Sequence, residues 1–135
     1  MSKTTEGTRE HPWNLATPSG SEYEAWRDTT LEPPALAVKV GKTELRYQLR
    51  CIDDLHAMLK THGDWQLLGS ADEQRPAAEG TVEAWARSTD NPVGGWYGLK
   101  KGLRGRFAMY VPPVLEKLGL AELEHNPRNN RMKAL

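Results

Sequence analysis

The sequence predicts a single α+β domain, a small antiparallel sheet with two to four helices packed on it. Three observations carry that expectation. Residues 35–50 alternate apolar and polar side chains on both sides of a two-residue turn. Residues 52–62 instead repeat their apolar positions at helical spacing. The whole chain is 135 residues long, enough for one core and too short for two comfortable ones.

The elements follow in chain order. Residues 1–20 are rich in Thr, Ser, Glu, Gly and Pro and read as a flexible N-terminal arm, with Trp13 and Leu15 able to pin its end. The opening MSKTTEGTREHPW has no apolar run of the kind a signal peptide needs, so none is expected. EYEAWRD (22–28) supplies a third strand beside the hairpin. ALAVKV, Gly41-Lys42 and TELRYQLR form that hairpin, and Gly at the first loop position fits a type II′ turn. A two-residue loop pairs Val40 with Thr43, Val38 with Leu45 and Leu36 with Tyr47 on one face. On the other it sets Lys39 against Glu44, an opposite-charge pair. One register satisfies both faces.

Ile52, Leu55, Leu59 and His62 predict a helix over 53–62, with Asp53 capping its first turn, Lys60 and His62 near its negative end and Gly63 stopping it. WQLLG (65–69) reads as a short strand and SADEQRPAAEG as a polar connector. TVEAWARS (81–88) permits either strand or helix. RFAMYV (106–111) reads as a strand. Pro112 and Pro113 then start a short helix ending near Gly119. LAELEH gives a last short strand. The domain is expected to span 21–126, with 127–135 a basic C-terminal tail.

Composition narrows the function. The net charge is zero, which removes long-range attraction to a polyanion by bulk charge but leaves room for a local patch. Cys51 is the sole cysteine, which excludes an internal disulfide and suits a reducing cytoplasm. No apolar run approaches the ~20 residues of a membrane span, so no membrane association is expected. Ile52 and Phe107 are alone of their kinds, and the five tryptophans are expected to supply missing core volume.

The segment GGWYGLKKGLRGRF (94–107) has five glycines, two lysines, two arginines and no acidic residue. It can be read three ways. As a helix, Trp96, Leu99 and Leu103 share one face while Lys100, Lys101 and Arg104 point away, which with 81–88 would make a helix-turn-helix. Gly98 and Gly102 oppose this, each costing about 1 kcal/mol inside a helix. As a loop, the glycines let successive N–H groups converge on an anion, with Lys and Arg completing the site. The spacing matches neither a P-loop nor G-x-G-x-x-G, and its GxxG echoes of a KH clamp are short. As plain packing, the glycines admit Trp96 and Tyr97 against neighbouring backbone and the cations face water.

Other chemistry has weaker support. His56, His62, Asp64, Asp72, Glu73 and His125 show no metal-ligand spacing, and no metal or other cofactor is expected. Cys51 beside His56 and His62 is a nucleophile only if its pKa is lowered. Asp53, Asp54, Asp64, Asp72 and Glu73 offer carboxylates, but nothing joins a particular two. No catalytic residue is assigned, and the balance is against an enzyme.

DDLHAMLKTHGDW, GTVEAW, NPVGGWYGLKKGLRGRF, YVPP and EHNPRNNRM resemble a family of small uncharacterised bacterial proteins. The resemblance covers most of the chain after about residue 11. It implies a stand-alone bacterial, cytoplasmic domain and carries no activity.

The expectation is therefore a non-catalytic module binding DNA or RNA. Lys100, Lys101, Arg104 and Arg106 would contact phosphates, Trp96 and Tyr97 would stack on bases, and Arg128 and Arg131 would extend the patch. The alternatives are a small enzyme or ligand-binding protein with a Trp-lined pocket, and a protein-interaction domain with an exposed Trp patch. The sequence gives no oligomeric state.

Overall fold

The computed structural model describes residues 6–135. An antiparallel sheet runs in chain order through β1 (Trp13–Ala16), β2 (Glu22–Asp28), β3 (Ala35–Val40) and β4 (Thr43–Gln48). The β3–β4 register pairs Val40 with Thr43, Val38 with Leu45, Leu36 with Tyr47 and Lys39 with Glu44, as the alternation predicts. Gly41 takes φ +60° while Lys42 stays at negative φ, the pattern of a type II′ turn.

The helix α1 (Cys51–His62) follows, ended by Gly63, whose N–H donates to the Leu59 carbonyl at 2.9 Å. Its N-cap is Arg50, with no side-chain cap. Asp53 therefore does not cap it but lies within the first turn, where its charge still complements the helix dipole. A second antiparallel sheet has the order β5 (Gln66–Leu67), β7 (Arg131–Ala134), β6 (Ala121–Leu123). Three short helices, α2 (Val82–Trp85), α3 (Phe107–Tyr110) and α4 (Pro112–Lys117), complete an α+β architecture.

Both ends of the chain are tied in more closely than their composition suggests. Residues 13–16, assigned on sequence to the arm, pair with β2, and Trp13 is buried. Upstream, the Arg27 N–H donates to the Gly7 carbonyl at 2.9 Å and Arg9 pairs with Asp28 at 3.0 Å. Residues 1–5 of the arm lie outside the described residues. In the tail, residues 131–134 form the central strand of the second sheet.

The stretch 106–111 holds the helix α3 (Phe107–Tyr110), not a strand. Phe107, Ala108, Tyr110 and Val111 are the buried positions, a spacing that suits a helical face rather than alternation. The Glu83 carboxylate accepts the Ala108 N–H at 2.9 Å and the Phe107 N–H at 3.4 Å, satisfying donors that a first turn leaves free. Residues 81–88 resolve as α2, capped by Thr81, whose hydroxyl accepts the Ala84 N–H at 3.1 Å. Residues 96–104 form no helix, so there is no helix-turn-helix. Instead Gly98 bridges to Tyr47 on the open side of β4.

One core joins the inner face of the first sheet (Tyr23, Leu36, Val38, Tyr47) to α1 and to α3–α4. Each such side chain stabilises by roughly 1.5–3 kcal/mol on burial. Tyr47, Tyr97 and Phe107 form its centre, with Phe107 5.6 Å from each tyrosine ring. Tyrosine and leucine thus supply much of the volume, while Trp65, Trp85 and Trp96 are only partly buried.

Candidate anion-binding site

The glycine-rich segment does hold an anion, and the anion is the protein's own Glu73. The Gly102 N–H donates to both Glu73 oxygens, at 3.0 and 3.1 Å, and the Arg104 N–H donates to Oε1 at 2.8 Å. The Arg104 side chain adds Nε to Oε1 at 2.9 Å and Nη2 to Oε2 at 3.1 Å. Two backbone amides of the segment thus converge on a carboxylate of the same chain, completed by a forked guanidinium. The Arg104 side chain beside it, with the two backbone donors, holds the Glu73 carboxyl down at about 2.

Backbone contact explains why glycine stands at two of these positions. A Cβ on Gly105 would collide with the backbone of Asp72 and Glu73, and one on Gly98 with Arg104. The Arg106 N–H donates to Ala71 O at 2.7 Å, so the segment lies along residues 71–73.

Residues 71–75 are held in turn by Arg87. Its guanidinium donates to the carbonyls of Arg75 at 2.7 Å, Ala71 at 3.1 Å and Asp72 at 3.2 Å, and to Glu83 Oε2 at 2.9 Å. Glu83 is only 1% exposed, and burial raises its pKa despite the bonds from Ala108 and Arg87. The order of support runs from Glu83 through Arg87 to residues 71–75, and from Glu73 to the basic turn. Both Arg87 and Arg104 lie over the Trp96 ring, at 4.4 and 4.7 Å from its centroid.

Several residues expected in an interface are engaged elsewhere. Arg104 is neutralised by Glu73, and Arg131 by Glu124, with Nη2 to Oε2 at 2.7 Å. Tyr97 is wholly buried, stacks on Trp85 at 5.2 Å and donates its hydroxyl to Asp54 Oδ2 at 2.8 Å, so it presents no face to a base. Trp96 is half-buried under two guanidiniums. Lys100, Lys101, Arg106 and Arg128 are exposed, and among the described residues no carboxylate lies within 4.0 Å of them. Lys100 and Lys101 are consecutive in one turn, closed by the Leu103 N–H donating to Lys100 O at 2.8 Å. Arg106 precedes α3, and Arg128 belongs to the loop before β7.

The remaining candidates find ordinary partners. Cys51 is fully buried, and burial, with Asp54 and Asp53 nearby, pushes its thiol up, the reverse of what a nucleophile requires. His62 faces Trp65 O at 3.2 Å, and His125 meets Glu116 at 2.6 Å. Among the described residues no three His, Cys, Asp or Glu side chains gather as a metal site would need, and no helix is long and apolar enough to cross a membrane. A cleft of about 240 Å³ lies among Pro18, Ser19 and residues 67–70, 108–109 and 127–130, and Trp85 lines two others, one with Met58 and His62 of α1 and one with Glu79, Gly80 and Thr81.

Sequence reasoning named Glu73 only as an unsupported metal or acid–base candidate. Glu83 and Arg87 went unnamed, although their i,i+4 spacing is an ion-pair pattern on a helix. No curated protein and no solved structure matches the chain. A family model does: over residues 5–135 the chain belongs to the family of unknown function DUF6855.

Proposed function

We propose that the protein is a non-catalytic binding module whose turn at 100–103 contacts the phosphates of a nucleic acid. The supporting observation is the placement of Glu73. By occupying the loop's own donors and Arg104, it leaves Lys100 and Lys101 as adjacent exposed cations with no carboxylate within 4.0 Å among the described residues. Arg106, also exposed, belongs with them; Arg104 and Tyr97 drop out of the contact set. Such contact is non-specific in sequence and rests on counterion release. The reading includes a bacterial, cytoplasmic setting, which suits a lone buried cysteine.

The test is binding of a fluorescent single-stranded oligonucleotide across a salt series. Three phosphate contacts give log K against log salt a slope of about −2. The triple variant Lys100→Ala, Lys101→Ala, Arg106→Ala should lose most of the affinity, while Tyr97→Phe keeps it. Equal binding by the triple variant, or no binding by the wild type at low salt, ends the proposal.

A further inference from the structure

A second site is built independently of the basic turn. The β5–β7 ladder ends where the Leu68 N–H donates to Asn130 O at 3.0 Å. Beyond that bond the two chains part, residues 69–70 on one side and 127–129 on the other, and the cleft of about 240 Å³ opens between them against Ala108 and Met109. Its walls are mixed. Leu67, 40% exposed, and the half-buried Met109 give apolar surface. Among the described residues Arg128 is the one charged residue lining it, and no carboxylate does. The N–H groups of Gly69 and Ser70, both cleft residues, donate to no acceptor among the described residues.

We propose that this cleft binds a small organic monoanion, a carboxylate carrying an apolar group, with Arg128 as its counter-charge. Charge complementarity selects the class. One guanidinium balances one negative charge, and its planar fork fits a carboxylate; a phosphate monoester would bring a surplus charge with no second cation in the lining among the described residues. Leu67 and Met109 take the apolar group, and the free amides of Gly69 and Ser70 are donors for the acid. At about 240 Å³ the cleft falls below the roughly 300–1,000 Å³ of pockets that take drug-sized ligands, so its occupant is small. One acylated amino acid is such an occupant, and a free organic acid or the last residue of a peptide offers the same chemistry.

The experiment titrates the full chain with N-acetyl-leucine and N-acetyl-leucinamide, followed by amide NMR shifts. The acid should shift Gly69, Ser70 and residues 128–130 saturably, with a dissociation constant of about a millimolar or tighter. The amide should bind at least about tenfold more weakly, because it lacks the charge that Arg128 meets. Arg128→Ala should cost the acid a similar factor, and Leu67→Glu, an exposed change that adds a carboxylate to the cleft, should abolish binding. The pair Lys100→Ala, Lys101→Ala should leave it unchanged, which separates this site from the phosphate-contacting turn. A leucine-ending pentapeptide with a free carboxyl identifies a chain end as the source if it binds as the acid does; if it fails while N-acetyl-leucine binds, the source is a free acid. Equal binding of acid and amide, an unaffected Arg128→Ala variant, or no saturable shift at the cleft overturns the proposal.

Discussion

Glu73 and Arg104 meet at two points, Nε to Oε1 at 2.9 Å and Nη2 to Oε2 at 3.1 Å, and the same carboxylate takes the N–H groups of Gly102 and Arg104. The glycine-rich segment is thereby fixed from within, and its outward chemistry passes to the lysines at the turn.

Glu73→Ala removes the shared acceptor and leaves Arg104 and two amides without their partner. The variant should unfold at a lower urea concentration than the wild type, read from the urea midpoint. Amide exchange at Gly102 and Arg104 should accelerate in the same variant. A wild-type midpoint and unchanged exchange would show that the pair holds nothing.

The same pair sets a pH dependence. The folded pKa of Glu73, about 2, lies below the ordinary 4.5, so its contribution is fully present above pH 4.5 and is lost as pH falls toward 2. Wild type and Glu73→Gln should therefore differ in stability at neutral pH and converge through that window. A difference that stays constant down to pH 2 contradicts the assignment.

Glu83→Ala strips the Phe107 and Ala108 amides and the Arg87 guanidinium of a carboxylate that is 1% exposed. Uncompensated buried donors and charge cost about 3–5 kcal/mol, which lowers Tm by on the order of 10 °C in a chain of this length. Thermal unfolding followed by circular dichroism reads this; a drop of only a degree or two would mean that α3 does not depend on Glu83.

Gly105→Ala places a methyl against the Asp72 and Glu73 backbone, which cannot rotate away. The expected cost is about 1–3 kcal/mol, against less than about 0.5 kcal/mol for the exposed Lys100→Ala. Chemical denaturation of the two variants side by side checks the contrast, and equal midpoints would refute it.

Tyr97→Phe removes the hydroxyl that donates to Asp54 at 2.8 Å and keeps the stacked ring. It should cost about 1 kcal/mol of stability. An oligonucleotide affinity that falls with it would restore Tyr97 to the interface.

How much of this was legible in the sequence depended on how local the cause was. The β3–β4 hairpin was readable because turn and register are set within fourteen consecutive positions, 35–48, and one register serves both faces. The stretch 106–111, which holds α3, was misread because six residues are too few to separate alternation from a helical face, and its decisive partner, Glu83, lies 24 positions from Phe107. Convergence of the loop's amides on an anion was one of three readings that its glycines and missing acids left open. That the anion is Glu73 was not legible, because Glu73 reaches Arg104 across 31 positions through close backbone approaches at Gly98 and Gly105. The strands β1 and β7 at the two ends were not legible because each is only four residues long and is defined by its pairing with partners elsewhere in the chain.

The most direct test of the account is a titration of the Glu73 side-chain carboxyl by carbon-13 NMR. The account predicts a midpoint at about 2, with the Gly102 and Arg104 amide resonances moving in step. A midpoint at the ordinary 4.5, with those amides unmoved, would contradict it.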